Sequence, residues 1–204
     1  MTGVIVITLP PQRQLDSRVI DRLIEIQANT PDDWPISYID KNPYGEPEDL
    51  RTKIKNIVYN LNTARKYFLE SNFQYFLSIE SDVIVPSFAV KEFIKAESDI
   101  TVGIYRLHSG NLSCLKQEKN MDEIHPIPLT RKDLSKRFIP IDWFSFGCML
   151  LKKEVLEEIE FEADFALLHD FAFSKRCKER GFKAICCTKV KCGHISPSGK
   201  ILEV

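Results

Sequence analysis

Glu80 and Asp82 are the residues best placed to do chemistry, because they stand directly after the apolar run Tyr75-Phe76-Leu77-Ser78-Ile79. In open α/β sheets, ligands bind beyond the carboxyl ends of the strands. Positions i and i+2 of an extended segment face the same way, so the two carboxylates can converge on one hard divalent cation, Mn²⁺ or Mg²⁺. Such an ion would offset the charge of a bound diphosphate. On its own an E-x-D pair says little, since acidic residues after a strand are commonly turn formers or helix caps.

The elements that would hold these carboxylates follow an alternating pattern. Val4 to Thr8 is a β-branched run stopped by Pro10-Pro11, as expected of a strand buried on both faces. Asp16 or Ser17 caps a helix with an apolar stripe of Val19, Ile20, Leu23 and Ile24, and a short strand, Ile36 to Asp40, follows. Leu50, Ile54, Ile57, Val58, Leu61, Ala64 and Phe68 fit the 3.6-residue period of a long helix. Tyr75 to Ile79 reads as the central strand, Pro86-Ser87 opens a helix through Val90, Phe93 and Ile94, and Asp99 to Tyr105 is another strand. Ser109-Gly110-Asn111 predicts a turn into Leu112 to Leu115, a hairpin leaving the main sheet. Residues 118–140 are polar, proline-punctuated and aperiodic apart from a short helix near Arg131 to Lys136, which marks either a functional loop or a mobile one. An apolar segment from Phe146 to Leu151, a helix over Lys152 to Ile159, a last helix ending at Gly181 and a strand-like tail from Lys183 to Ile195 complete the chain.

At 204 residues with 44% hydrophobic content, the chain supports one substantial core, so residues 1–204 are expected to form a single α/β domain. Its 28 basic and 29 acidic residues give a net charge of -1, which removes the positive field expected of a nucleic-acid or anionic-lipid binder. The opening Met1 to Pro10 has no basic region and is too short for a signal or membrane span, so no transmembrane segment and a cytoplasmic location are expected. Cys114, Cys148, Cys177, Cys186, Cys187 and Cys192 include no CxxC pair. They read as buried small hydrophobes, as disulfides or as a metal cluster, the last opposed by adjacent Cys186 and Cys187, which point to opposite faces of a strand.

The full run Tyr75 to Pro86 resembles the "hydrophobic strand, DxD, hydrophobic, proline" signature of GT-A-fold glycosyltransferases, in a family 2-like pattern. Further likenesses follow in order. Asp99 to Arg106 is similar to the family's strand beside the nucleotide-sugar, Asp142-Trp143-Phe144-Ser145-Phe146-Gly147-Cys148-Met149-Leu150-Leu151 to its "W-x-x-x-G-x-x-L" acceptor segment, Leu168-His169-Asp170-Phe171 to its "ED" region, and Cys192-Gly193-His194 to its closing "GH". The similarity spans roughly residues 4–195 and rests on the ordered set. The compact, cysteine-containing character also resembles minimal glycosyltransferases of archaeal viruses, which would place the protein in a host cytoplasm.

The resemblance implies a Rossmann-like GT-A domain with a mostly parallel sheet, flanking helices and a smaller antiparallel element. Residues of about 1–106 would face the nucleotide-sugar, and about 107–204 the acceptor. It implies a metal-dependent transfer from a nucleoside-diphosphate-sugar to a glycan, protein or lipid hydroxyl, with inversion. Asp82, Glu80 and His194 would serve the metal, and Asp40, Glu80, Asp82 and Arg106 the nucleotide-sugar. Asp142 and Trp143 would serve the acceptor, and Asp170 would be the general base. His194 favours Mn²⁺ over Mg²⁺, because imidazole suits transition metals.

Plainer readings stand beside these. A lone strand histidine is ordinarily a hydrogen-bonded residue, an aspartate at a helix start is a cap or dipole partner, and Trp143 is read as filling the core ahead of stacking on a sugar ring. Two departures from the pattern are Glu80 in place of the usual aspartate and His169 in place of the usual glutamate. Glu80 would bind ribose or reach the metal through water, which makes Asp82 the direct ligand. Competing functions are a sugar nucleotidyltransferase, opposed by the glycine-free Thr8-Leu9-Pro10-Pro11-Gln12, and a zinc-stabilised interaction module using Cys177, Cys186, Cys192 and His194.

Overall fold

The three-dimensional structure is a computed structural model that describes residues 1–8, 15–32, 34–46, 48–120 and 123–204. Pro10-Pro11, and most of the glycine-free segment after the first strand, lie outside the described residues. Strand β1 (Gly3–Thr8) is buried at every position. Helix α1 (Ser17–Asn29) is capped by Asp16, whose side chain accepts from the Arg18 backbone N–H. Strand β2 (Ile36–Ile39), helix α2 (Leu50–Leu69), strand β3 (Tyr75–Glu80), the short strand β4 (Val83–Ile84), helix α3 (Ala89–Ile94) and strand β5 (Ile100–Ile104) follow. Then come β6 (Cys114–Asn120), β7 (Glu123–Pro128), α4 (Arg131–Leu134), β8 (Phe138–Ile141), β9 (Trp143–Phe144), β10 (Cys148–Lys152) and α5 (Lys153–Glu158). The chain closes with α6 (His169–Glu179), β11 (Ala184–Lys191), β12 (Gly193–Ile195) and β13 (Ile201–Leu202).

Seven strands form one sheet in the order β2-β1-β3-β10-β5-β11-β8. From the pairings, β1, β2, β3, β5 and β11 run one way, while β10 and β8 oppose them. The sheet is therefore mostly parallel, and β10, from after residue 106, is inserted between β3 and β5, from before it. Two three-stranded elements, β13-β12-β4 and β7-β6-β9, stand beside it. Because successive side chains of a strand face opposite ways, Val4 and Val6 enter one core with α2, α5 and α6, whereas Ile5 and Ile7 enter the other with α1 and α3.

Burial on both faces explains why the sheet strands read as continuous apolar runs. The helices are less literal. In α1 the buried stripe is Val19, Leu23 and Ile26, while Ile20 and Ile24 face outward. In α2, Leu50 is 61% exposed, and the polar Asn56 and Asn60 are fully buried instead. These two asparagines hold the loop after β2: Asn60 Oδ1 accepts from the Lys41 N–H, and Asn56 Oδ1 accepts from that of Tyr44.

The aperiodic stretch expected over residues 118–140 is corrected by a β-hairpin, β6 with β7, followed by α4 and the sheet-edge strand β8. The Ser109-Gly110-Asn111 turn forms, but it closes only an isolated bridge between Arg106 and Leu112. Pro126 and Pro128 hid the hairpin because proline reads as a breaker, yet β7 is an edge strand of its element, where a missing N–H is tolerated. Thr130 and Asp133 form a capping box at α4, and Asp133 also takes Lys116 Nζ of the hairpin at 2.8 Å.

All six cysteines are buried free thiols. Cys177 and Cys186 belong to one core and Cys192 to the other, on the far side of the sheet, so they do not converge with His194 on a zinc ion. Burial pushes the Cys177 thiol up to about 12. Among the described residues, no helix is long and apolar enough to cross a membrane.

Candidate functional site

The carboxyl ends of β1, β2, β3 and β5 share one edge of the sheet, and the residues of interest gather there. Glu80 ends β3, Ser81 makes the turn, and Asp82 precedes β4. The pairing of β4 with β12 brings the C-terminal part of the chain back to this point, with His194 opposite Val83. Asp82 Oδ2 then lies 3.7 Å from His194 Nε2. His194 is 5% exposed, and its Nδ1 lies 2.8 Å from the Arg106 carbonyl. A carbonyl can only accept, so Nδ1 carries a proton and Nε2 is the nitrogen that faces Asp82. This is the orientation a metal-binding imidazole needs. Burial opposes charge on His194, but Asp82 and the Arg106 carbonyl outweigh it and raise the pKa.

A third side chain able to bind a metal joins them, one that the motifs did not reveal. His108, in the turn after β5, stacks on His194 with ring centroids 4.1 Å apart. One ligand atom each from Asp82, His108 and His194 lies within 4.8 Å of the other two. Neighbouring ligands of an ion at about 2.1 Å stand about 3.0–3.4 Å apart, so the three side chains would have to draw together by roughly an ångström or more to share one. Two imidazoles and one carboxylate fit a transition metal better than Mg²⁺. Glu80 is not one of the three. Burial first, then repulsion from Asp82 and Asp170, raises its pKa to about 7, against the opposing pull of His194 and Lys53.

Tyr105, at the end of β5, buttresses this arrangement. It is 1% exposed, its ring meets His194 edge-on at 5.3 Å, and its hydroxyl accepts from the Gly147 N–H at 3.0 Å. The Gly147 carbonyl in turn accepts from the Glu80 N–H at 3.2 Å. A Cβ on Gly147 would fall 2.6 Å from Tyr105 Cζ and 2.9 Å from Val83 Cγ2. The glycine of the "W-x-x-x-G" run is thus required by the close approach of Tyr105.

Asp170 sits in the first turn of α6, where its charge faces the positive end of the helix dipole. Its Oδ1 accepts from the Phe171 N–H at 2.9 Å. Its charge contributes, after larger causes, to the raised pKa of Glu80 and of Tyr105. The preceding Leu168 has φ 65° and ψ 152°, a region nearly reserved for glycine, and such strain concentrates at functional sites. His169 contacts Phe146 edge-on at 5.4 Å, and burial lowers its pKa, keeping the imidazole neutral. Lys53, in the first turn of α2, acts on both Glu80 and His169; it is a second residue the motifs missed.

The remaining expected residues are placed as follows. Asp40 is exposed, one residue past β2 and two strands from β3, roughly 10 Å across at the usual strand spacing. The Arg106 guanidinium is directed to backbone carbonyls, Nη1 to Gly110 at 2.8 Å and Nε to Glu203 at 3.1 Å, so this residue meets the site through its own carbonyl. Asp142 accepts from the Gln117 N–H at 2.7 Å and from Lys178 Nζ. Trp143 packs edge-on against Phe171 at 5.7 Å, one residue from Asp170. Asp142 and Trp143 line a cavity of about 480 Å³.

A mostly parallel sheet, helices on both faces, small antiparallel elements and a carboxylate-bearing turn after a central strand together define the GT-A fold. Comparison with solved structures gives the same fold. The A197 protein from STIV matches with a TM-score of 0.64 and 17% identity, over 100% of this chain and 94% of that one. A structure of GalNAc-T7 with UDP, GalNAc and Mn²⁺ matches with a TM-score of 0.61 and 14% identity, over 96% of this chain and 44% of that one. No protein-family model and no curated protein matches the sequence.

Proposed function

We propose that the protein is a metal-dependent glycosyltransferase that moves a sugar from a nucleoside-diphosphate-sugar to a hydroxyl acceptor with inversion. The observation that carries this reading is the convergence of Asp82, His108 and His194 beside Glu80 and Asp170 at the ligand-binding edge of the sheet. A divalent ion held by the first three, with Mn²⁺ suited to the nitrogen ligands, would offset the negative charge of the diphosphate. Lys53 adds a positive charge on the same side. Residues of about 1–106 serve the donor, joined there by His108 and His194, and the rest of 107–204 serves the acceptor. A cytoplasmic location belongs to the same proposal.

Asp170 takes the proton of the acceptor hydroxyl, the freed oxygen pair attacks the anomeric carbon, and the bond to the diphosphate oxygen breaks on the opposite face, so configuration inverts. His169, neutral and anchored on Phe146, and the strained Leu168 fix the first turn of α6 that presents Asp170. Tyr105 and Gly147 hold His194 and the Glu80 backbone in register with that turn.

The test is a thermal-shift panel of UDP, GDP, ADP and dTDP with and without Mn²⁺. A nucleotide at about 100 times its dissociation constant stabilises the fold by roughly 2.7 kcal/mol. A shift that needs both nucleotide and ion supports the reading. No shift with any member of the panel rejects it.

A further inference from the structure

A second cavity lies behind the strand that carries His194. In the small sheet β13-β12-β4, residues directly opposite each other share a face: His194 stands with Val83 and Leu202, Gly193 with Ile84, and Ile195 with Ile201. Successive residues of a strand alternate, so Gly193, Ile84 and Ile201 face away from His194. These three residues line a cavity of about 490 Å³, within the roughly 300–1,000 Å³ of small-molecule sites. It uses the same strand as the Asp82, His108 and His194 group but the reverse face, and none of those three side chains lines it.

The lining combines an apolar surface with a small excess of positive charge. Ile201 takes the space over Gly193, where a Cβ would fall 2.8 Å from Ile201 Cγ2. Pro86 and Phe88 extend the apolar surface, and the Phe88 ring, just before α3, is 46% exposed. The charged lining residues, all exposed, are Arg22 of α1, Lys191 at the end of β11 and Glu203 after β13. Two cations and one carboxylate leave one net positive charge. Arg22 also pairs with Glu25, but through Nη1 alone, so the other N–H groups of its guanidinium remain for a ligand oxygen. The matching ligand is a small organic monoanion with an apolar body: its carboxylate or sulfonate meets Arg22 and Lys191, and its ring or chain meets Phe88 and the two isoleucines.

We propose that this cavity binds a free, singly charged amphipathic organic acid, at a site separate from the Asp82, His108 and His194 group. The inference goes beyond the transferase reading and does not depend on it. The probes are anilinonaphthalenesulfonate and its uncharged counterpart N-phenylnaphthylamine, which share an apolar body and differ in the sulfonate. In amide correlation spectra of the full chain, the sulfonate should shift Ile84, Lys191, Gly193 and Ile201, saturate as a single site and bind more tightly than the uncharged probe. Lys191→Ala and Arg22→Ala should each weaken sulfonate binding about two- to fivefold, the range of a solvent-exposed charge pair, and leave the uncharged probe unaffected. Phe88→Ala should weaken both probes about three- to tenfold. Glu203→Gln keeps the main-chain carbonyl that Arg106 uses and must not weaken the sulfonate. Shifts centred elsewhere, equal affinity for the two probes, or charge variants without effect overturn the proposal. Sedimentation with phosphatidylglycerol vesicles that depends on Lys191 would make this a membrane-facing surface and overturn it too. UDP with Mn²⁺ should bind alongside the sulfonate; displacement would assign the cavity to the nucleotide and reject this inference alone, whereas sulfonate binding without any nucleotide binding rejects only the transferase reading.

Discussion

Gly147→Ala is expected to strain the centre of the protein in a way that Tyr105 reports. The added methyl group would lie 2.6 Å from Tyr105 Cζ and 2.9 Å from Val83 Cγ2, neither at the end of a flexible chain. Forcing an extra carbon into such packing costs about 1–3 kcal/mol, and losing the Gly147 N–H to Tyr105 hydrogen bond costs about 1 kcal/mol more. At about 2–4 °C per kcal/mol for a chain of this size, melting should fall by roughly 5–15 °C. Tyr105→Phe removes the oxygen nearest the new methyl group but leaves the Gly147 N–H unpaired, a cost of about 1–3 kcal/mol. Both single variants therefore lose the same hydrogen bond, and the phenylalanine relieves part of the clash. The double variant should be less destabilised than the sum of the singles by about 1 kcal/mol or more. Chemical denaturation of the four proteins measures this coupling. Additive losses, or a Gly147→Ala variant that melts within about 1 °C of the parent, would refute the role assigned to the close approach.

The other expectations follow from the same centre and its surroundings. Asp82→Ala should stay folded but lose Mn²⁺-dependent nucleotide binding, and calorimetry showing unchanged binding would remove Asp82 from the metal set. Asp170→Asn should slow transfer by about 10²- to 10⁴-fold with donor affinity nearly unchanged, because asparagine keeps an oxygen for the Phe171 N–H but lacks the basic one, while the lost charge at the helix start costs only about 0.3–1 kcal/mol. Glu80, whose ordinary pKa of 4.5 is raised to about 7, binds more protons folded than unfolded between those values. In the presence of a chelator, stability should therefore fall as pH rises through that window, by at most about 1.4 kcal/mol per pH unit from this group, and Glu80→Gln should flatten the profile. Thr130→Ala, which breaks the capping box, should cost about 0.5–2 kcal/mol in urea unfolding without altering nucleotide binding.

What could be read directly from the sequence was whatever depends on one segment at a time. The β3 strand with Glu80 and Asp82 at its end, the long helix α2 and the helix stop at Gly181, where φ is 84°, each follow from local pattern. His108 was missed because nothing within its own turn marks it. It meets His194 only when β12 lays that residue against the end of β5, a contact between segments about ninety residues apart; the available signal was a histidine in a turn at the ligand-binding edge. Lys53 was missed for the opposite reason, since a lysine in a helix first turn reads as solvated surface until the facing carboxylates are known. Arg106 illustrates a third case. Its charge suggested phosphate, but the tight turn at Gly110 and Glu203, just past β13, place carbonyls within its reach.

Asp82, His108 and His194 come from three separate stretches, and the outer two are 194 − 82 = 112 residues apart. An unfolded chain can gather them only by closing that whole loop, at an entropic cost that grows with the logarithm of its length. Any ion held by all three therefore registers the finished topology rather than a local sequence motif. Its affinity would be a measure of long-range order, falling when distant segments separate even if every helix survives. The same linkage would make such an ion a brake on unfolding, so protease resistance and metal occupancy should rise and fall together.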